Sequence, residues 1–391
     1  MNRTAPRIAL VCDFLEEKWP SMDLVADMLR DRLVGEYGAE FRVEMIRPPF
    51  VRRFSRLPAI GHRRAAYNAD RVLNRFFDYP RVIRRRRDSF DLFHIVDHTY
   101  AHLVHHLPSA RTVVTCHDLD AFRPVLEPRR APASRLMAVM ARRILSGMRK
   151  AAMVTCESHA TMNEILAHRL VSPERLIFAT IGIHPAFSPC ADAAADAEAM
   201  RLLGPADAGA PELLHVGLPV ARKRIDILLR VFAAVRDDFP RARMVRVGGA
   251  FTSAQTMLAA ALGVSDAIVV LPFVSSATLA AVYRRAAAVA MPSEAEGFGL
   301  PVVEAMACGT PVIASDLAVL HEVGGDAADY AAVGDVAAFA AAVIRSFRQR
   351  AELSRFDQRR GAGLAQAAKF SWSENARGIA AVYRRLLATA A

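Results

Sequence analysis

A chain of 391 residues is longer than one ordinary hydrophobic core organises, so two domains are expected. Hydrophobic residues make up 53% and charged residues 23%, a globular balance that excludes extensive disorder, and no uncharged apolar run reaches the ~18 residues a membrane helix needs. The net charge of +11 is concentrated: between Arg47 and Arg87 stand 13 arginines against two acids, Asp70 and Asp78. Such a segment is either a solvated Arg-rich surface or a positive field for an anionic membrane, a nucleic acid or a phosphorylated partner.

In chain order, short β-type runs alternate with helical patterns. The runs of the first half are Arg7–Cys12, Phe41–Ile46, Phe90–Val96, Arg111–Cys116, Ala151–Cys156 and Arg175–Thr180. The apolar run Ile8–Cys12 in the first is too short for a signal peptide and reads as a first strand. Five scattered cysteines (Cys12, Cys116, Cys156, Cys190, Cys308) form no C-x-x-C pair, which implies buried thiols in a reduced, cytoplasmic setting. After the first strand, "DFLEEKWPSMDLVADML" starts a helix with Ser21 as its N-cap. Within "AYNADRVLNRFF", Ala69, Val72, Leu73 and Phe76 share one helical stripe, with Arg71 and Arg75 off it. This is core packing of a βα unit or an amphipathic membrane-surface element.

"FDLFHIVDHTYAHL" places His94 inside a strand as a core histidine and Asp97, His98 and Tyr100 at its end. His102, His105 and His106 follow on a helix face, and "TVVTCHDLD" puts His117 and Asp118 directly after the next strand. Asp118-Leu-Asp120 resembles a metal-binding D-x-D, but two acids at this spacing are common and no metal site is expected. Residues 188–210, "SPCADAAADAEAMRLLGPADAGA", read as an interdomain linker that could carry a short helix.

The second half repeats the pattern with runs Glu212–Val216, Ala242–Val247, Asp266–Leu271, Ala286–Met291 and Pro311–Ser315. Between the first two, Ile225, Leu228, Leu229, Phe232 and Val235 line a helix stripe. Continuous apolar strands joined by helices imply parallel sheets covered on both faces, in which ligands bind beyond the carboxyl ends of the strands. One such end is "PSEAEGFGLPVVEAMACGTPVIAS", residues 292–315. Pro301 marks a helix start and Gly309 its close. Gly297 and Gly299 let a ligand approach the helix N-terminus, which suits phosphate. Glu296 and Glu304 stand on either side and suit hydroxyl groups, although for their spacing alone a solvated acid pair near a helix start is the better reading.

This stretch resembles the E-x7-E motif of the retaining glycosyltransferases of family 4, which have the GT-B fold. The likeness extends over "LLHVGLPVARKRIDILLRVFAAV", "LPFVSSATLAAVYRRAAAVAMPS", "HEVGGDAADYAAVGD" and "FSWSENARGIAAVYRRLL", nearly all of residues 211–387. The first half fits more loosely. The resemblance implies two Rossmann-like domains facing across a cleft: an acceptor-binding domain over 1–187, completed by a C-terminal helix over 374–391, and a nucleotide-sugar domain over 211–370.

It also implies roles. Glu304 would hold ribose hydroxyls and Glu296 the donor hexose. The amides of Gly297, Phe298, Gly299 and Leu300 would contact the sugar and diphosphate, and Lys223 would neutralise the leaving group. Lys223 is one of four lysines against 47 arginines. Where the family usually has an arginine directly after the Val-Gly of this strand, the chain has Leu218, so Arg222 or Arg224 is expected to substitute. Gly248 and Gly249 would approach the donor, with Phe273 and Val274 near the base. His117 would sit close to the anomeric carbon, and Asp97, His98, Tyr100 and Asp118 would face the acceptor. The family's Gly-Gly loop after the first strand is absent, and Trp19 is either an acceptor platform or a packed loop residue.

Together these imply a metal-independent enzyme that moves a hexose from a UDP- or GDP-sugar to a saccharide or lipid-linked acceptor, with no cofactor besides that donor. It would act in the cytoplasm, with an anionic membrane surface as a partner through Arg47–Arg87 and no nucleic acid. The alternatives are a nucleotide-sugar epimerase of the same fold, or a basic nucleic-acid-binding protein, for which no recognised module is present.

Overall fold

The computed structural model describes residues 5–59, 61–207, 209–350 and 352–389. The chain divides into two compact units, Met1–Gly182 with Trp372–Ala391, and Ile183–Ser371.

The first unit is built on strands β1 (Arg7–Val11), β2 (Arg42–Ile46), β3 (Leu92–Ile95), β4 (Thr112–Cys116), β5 (Met153–Cys156) and β6 (Leu176–Phe178). They form one parallel sheet in the order β2-β1-β3-β4-β5-β6. Alternate residues of β1 enter two separate cores, as a period of two requires. Ile8 and Leu10 pack with Leu29, Leu33, Ile379 and Tyr383 of helices Pro20–Tyr37 and Trp372–Thr389. Ala9 and Val11 pack with Ile83, Leu103 and Leu145 from the opposite layer. His94 in β3 is a core histidine: its Nδ1 lies 2.7 Å from Tyr383 Oη and its Nε2 2.7 Å from Thr115 Oγ1. It thereby ties the C-terminal helix to the sheet.

The Arg47–Arg87 segment folds differently from its sequence stripe. Helix Arg64–Leu73 and the π-helical turn Asn74–Asp78 turn Ala66, Asp70 and Asn74 inward, while Ala69, Val72, Leu73 and Phe76 are only half-buried. The reason is polar: the Asp70 carboxylate accepts from the amides of Arg53, Phe54 and Ser55 (3.0, 2.9 and 2.9 Å) and from Ser55 Oγ (2.6 Å). Asn74 closes the same loop on Val51. A loop whose backbone donors need partners outcompetes an apolar stripe for the inner face. Much of the positive charge is paired locally, Arg47 with Asp23, Arg53 with Asp78, and Arg71 and Arg75 with the buried Glu17.

The second unit holds β7 (Glu212–Val216), β8 (Arg243–Val247), β9 (Ile268–Leu271), β10 (Ala288–Met291), β11 (Val312–Ser315) and β12 (Ala328–Ala331). All are parallel, in the order β12-β11-β10-β7-β8-β9. The edge strand β12 was not anticipated, because its short, half-buried Ala-Asp-Tyr-Ala lacks an apolar run. Residues 188–210 are not a bare linker: helix Ala193–Leu203, capped by Asp192, buries Ala195, Ala199 and Leu203, and Asp196 pairs with Arg284 (2.6 Å). The second unit therefore begins at Ile183 rather than at 211, and the first ends at Gly182 rather than 187. The C-terminal helix starts at Trp372, two residues before the expected 374, and 390–391 lie outside the described residues. The first helix begins at Pro20, with Trp19 in the capping position in place of Ser21.

Candidate active site

In the second sheet β7 and β10 are neighbours although β8 and β9 intervene in sequence. The winding reverses there, which opens a crevice at the carboxyl ends of the strands. After β7 the turn Ala221–Lys223 ends in the left-handed Arg224 (φ 47°), which turns the chain into helix Ile225–Asp238. Lys223 Nζ reaches Glu296 Oε1, beyond β10, at 2.6 Å. Arg222 lies 3.1 Å from Glu296 Oε2 and donates to the Ala295 carbonyl (3.0 Å), while the Glu294 amide donates back to the Arg222 carbonyl (2.8 Å). The two strand ends are thus laced together around a carboxylate whose side chain is 5% exposed. Burial alone would raise the Glu296 carboxyl, but Lys223 and Arg222 outweigh it and hold the group below the ordinary carboxylate range.

Helix Leu300–Ala307 starts from Gly299 at φ 99°, where a Cβ would stand 2.8 Å from Leu320 Cδ2, so the entry turn requires glycine. Phe298 is buried edge-on against Phe370 (5.7 Å), and Gly297 and Leu300 are half-buried beside it. Glu304 follows one turn into the helix, 7% exposed, and accepts from Tyr283 Oη at 2.9 Å. Burial pushes its carboxyl up to about 7, against the opposing pull of Tyr283 and Lys223. At the next strand ends, Gly248 and Gly249 follow β8, and Phe273 (49% exposed) and Val274 follow β9. Tyr283 was not singled out from the sequence, nor was Arg246, which is wholly buried beneath the Gly248-Gly249 turn.

The first unit has its own reversal, between β1 and β3. Asp13 follows β1 and Asp97 follows β3, and the register that pairs Val11 with Ile95 brings the two acids side by side. Asp13 is 3% exposed and its carboxyl is hydrogen-bonded to that of Asp97. Burial, then the charge of Asp97, push the Asp13 carboxyl well up. Asp97 goes the other way: burial would raise it, but His98 and His117 hold it at about 2. Asp97 also accepts from Thr99 N (2.8 Å) and Thr99 Oγ1 (2.6 Å).

His98 Nδ1 lies 3.4 Å from Asp97 and its Nε2 lies 3.7 Å from Asp118. His117 Nδ1 is 2.9 Å from Glu157 Oε1 and its Nε2 is 2.7 Å from the Val96 carbonyl. Burial lowers this imidazole's affinity for a proton, yet Glu157 and Asp97 raise it to about 9. With a carboxylate at one nitrogen and a carbonyl at the other, His117 is a fixed cation in this arrangement and has no lone pair to accept a proton.

Glu157 was missed in the sequence. The signal was its place directly after β5, where the pairing of Cys116 with Cys156 sets it beside His117. Tyr100, expected to face a ligand, is wholly buried under the Arg75 guanidinium (4.1 Å to the ring) and serves the core. The Asp118 carboxylate accepts from the Asp120 amide (3.0 Å), so this D-x-D closes a turn. Elsewhere on this unit Glu127, Glu164 and His168 bring donor atoms within 4.8 Å of one another, and Arg123 pairs with both acids.

Residues 203–360, which include Lys223, Glu296 and Glu304, match the family described as glycosyl transferases group 1. The chain is 38% identical over 172 residues to a D-inositol 3-phosphate glycosyltransferase of Segniliparus rotundus, covering 41% of this chain and 37% of that protein. It is 34% identical over 231 residues to the protein of the same name from Acidothermus cellulolyticus, covering 55% and 49%. The chain thus spans about half or less of the curated relatives it matches. Among solved structures, sucrose-phosphate synthase from Thermosynechococcus elongatus aligns with a TM-score of 0.74 at 20% identity, over 98% of this chain and 100% of that one. Anabaena HepE, solved with UDP and glucose, aligns with a TM-score of 0.71 at 15% identity, over 97% and 100%. At such identities the likeness is one of fold, and the fold is GT-B.

Proposed function

We propose that the protein is a retaining, metal-independent hexosyltransferase that moves a hexose from a nucleotide diphosphate sugar to a hydroxyl acceptor. The observation that carries the reading is the Lys223–Glu296 pair at the winding reversal of the second sheet, with the buried Glu304 one turn into the helix that follows Glu296, inside the segment that matches the family. Glu304 holds the ribose hydroxyls and Glu296 the transferred hexose. The amides of Gly297 to Leu300, with Gly248 and Gly249, lie along the sugar and diphosphate, and Phe273 and Val274 lie near the base.

As the glycosidic bond breaks, negative charge develops on the departing phosphate. Lys223 and the backbone donors stabilise it, the electrostatic contribution that is usually the largest in such reactions. The acceptor hydroxyl attacks on the leaving-group side and its proton passes to the departing phosphate, so no protein base is required. The paired, protonated state of His117 agrees with that assignment and gives it the role of a fixed positive charge.

The donor nucleotide is UDP or GDP, and the UDP held by Anabaena HepE makes UDP-sugars the first to screen. The acceptor is a saccharide or lipid-linked hydroxyl used in cell-envelope polysaccharide, lipopolysaccharide or glycolipid synthesis, with Asp97, His98 and Asp118 in its reach. The name of the curated relatives puts inositol phosphate in the same screen. Peripheral attachment to the inner face of the cytoplasmic membrane fits Val51, Phe54, Leu57 and Phe77, which are exposed within the Arg47–Arg87 segment.

The test is a thermal-shift screen over nucleotide sugars, followed by turnover of Lys223→Ala with the donor it selects. A wild-type shift with one donor and a loss of turnover of about a hundredfold or more in the variant is expected. Turnover near that of wild type in the variant overturns the assignment.

A further inference from the structure

Around the C-terminal ends of β7, β8 and β10 stand four cations and three acids, and the acids are committed. Glu296 pairs with Lys223 and Arg222. Asp226 pairs with Arg224 at 2.9 Å, and Glu294 lies 3.5 Å from the same guanidinium. Arg222 and Arg224, the expected substitutes for the arginine missing at Leu218, are therefore bound to carboxylates. The fourth cation is Arg246, which sits directly across from His215 in the β7–β8 register and is 0% exposed. Among the described residues it is paired with no carboxylate, and its Nε has no partner. His215 is wholly buried beside it, with neither ring nitrogen partnered. Burial, Arg246 and Lys223 hold that imidazole well below its ordinary value, so it is neutral and brings no second charge.

The guanidinium bonds to backbone. One amino group donates to the Gly217 carbonyl at 2.9 Å and the other to the Gly249 carbonyl, so Arg246 ties together the turns that leave β7 and β8. The turns are already pressed on each other: a Cβ at Gly248 (φ 123°) would overlap the Gly217 carbonyl. In a planar trans peptide the carbonyl of one residue and the N–H of the next point in opposite directions. Carbonyls drawn inward to Arg246 therefore turn the amides of Leu218 and Ala250 outward, and neither amide donates to another described residue. A buried cation without a counter-charge is costly, and an anion seated outside these turns would offset that cost.

We infer that Arg246 is a positioning residue for the donor diphosphate: it replaces the side-chain cation absent at Leu218 by presenting the Leu218 and Ala250 amides to phosphate oxygens and by charging the floor beneath them. The inference rests on the proposed donor site. The Leu218 side chain then needs no charge, because the amide of the same residue serves.

The test measures dissociation constants of a nucleoside, its monophosphate and its diphosphate (uridine and guanosine series) by calorimetry. The proteins are wild type, Arg246→Met, Arg246→Lys and Arg246→Met with Leu218→Arg, each checked for folding by circular dichroism. Wild type is expected to bind one diphosphate much more tightly than its nucleoside. In Arg246→Met the diphosphate weakens by about tenfold or more while the nucleoside stays within about twofold. Leu218→Arg recovers most of that loss, and Arg246→Lys falls between. An equal loss for nucleoside and diphosphate, or no recovery by Leu218→Arg, makes Arg246 a structural tie only and overturns the inference. A wild-type chain that binds neither diphosphate overturns the donor site itself, a failure visible before any variant is made. If Arg246→Met does not fold, Arg246→Lys and the single Leu218→Arg variant decide: the first must weaken the diphosphate selectively and the second must not weaken it.

Discussion

The two units each place polar side chains where their sheets reverse winding, and they build those places in different ways. In the second unit the polar groups form small separate clusters: Lys223 and Arg222 on Glu296, Arg224 with Asp226 and Glu294, and Tyr283 on Glu304. In the first unit no glycine follows β1, and Asp13, Asp97, His98, His117 and Glu157 form one buried network from four strand ends. In the second unit a Cβ at Gly249 would meet open space, so the backbone of that turn is uncovered. The first unit's network is a set of groups whose charges are fixed by one another, so a change at any one alters the rest.

The largest expected difference between the two concerns turnover. Glu296→Gln, which keeps the shape and removes the charge facing Lys223, should lower kcat by about a thousandfold. His117→Gln should cost only about tenfold to a hundredfold, because its ring nitrogens are committed within the network. Steady-state rates at saturating donor compare them. An equal loss in both would make the first unit's network part of the chemical step and end the contrast.

Stability against pH comes next. Glu304 titrates at about 7 in the folded chain, above its ordinary 4.5. The folded state therefore retains a proton that the unfolded state releases, and the stability from this group is whole below about pH 4.5 and lost as pH rises through about 7. Glu304→Gln should accordingly be more stable than wild type by roughly 2–3 kcal/mol at pH 8, with a much smaller difference at pH 5. Urea denaturation at the two pH values measures this. An unchanged midpoint at pH 8 would mean that the carboxylate is compensated where it stands, as Glu296 is.

The smallest effect tests the network. His117 is raised to about 9 chiefly by Glu157, so the stability it contributes is present below about 6.5 and lost as pH rises through about 9. Glu157→Gln should drop its titration by at least about one pH unit and flatten the loss of stability between pH 7 and 9. NMR titration of the imidazole reads the first and denaturation the second. A His117 that still titrates near 9 would show that the network does not depend on that pair.

Eleven of the twelve strands were legible because each is a short apolar run bounded by turn residues, and β12 was not because an edge strand needs no such run. Glu296, Glu304 and Lys223 were singled out by the resemblance of their segments, since the spacing of two acids eight apart did not by itself mark a site, and the structure brings Lys223 and Glu296 together from two different strand ends. Arg246 was not singled out, since an arginine in a strand reads as an outward residue until the neighbouring turns are in place. The inward face of helix Arg64–Leu73 was misread because periodicity counts apolar side chains and takes no account of the backbone donors of residues 53–55, which claim Asp70.

What the sequence determined by itself is the alternation of strand and helix, the positions of the strand ends and the residues that stand at them. Those follow from local periodicity and turn chemistry, which act over a few neighbours. What only the tertiary structure decided is the partner of each charge. Whether a histidine is an imidazolium, a carboxylate is ionised, or an arginine lacks a counter-ion depends on burial and on groups distant in sequence, as Glu157 is from His117 and Glu296 from Lys223. That is why Leu218 reads as a gap in the sequence and as an oriented amide above Arg246 in the fold.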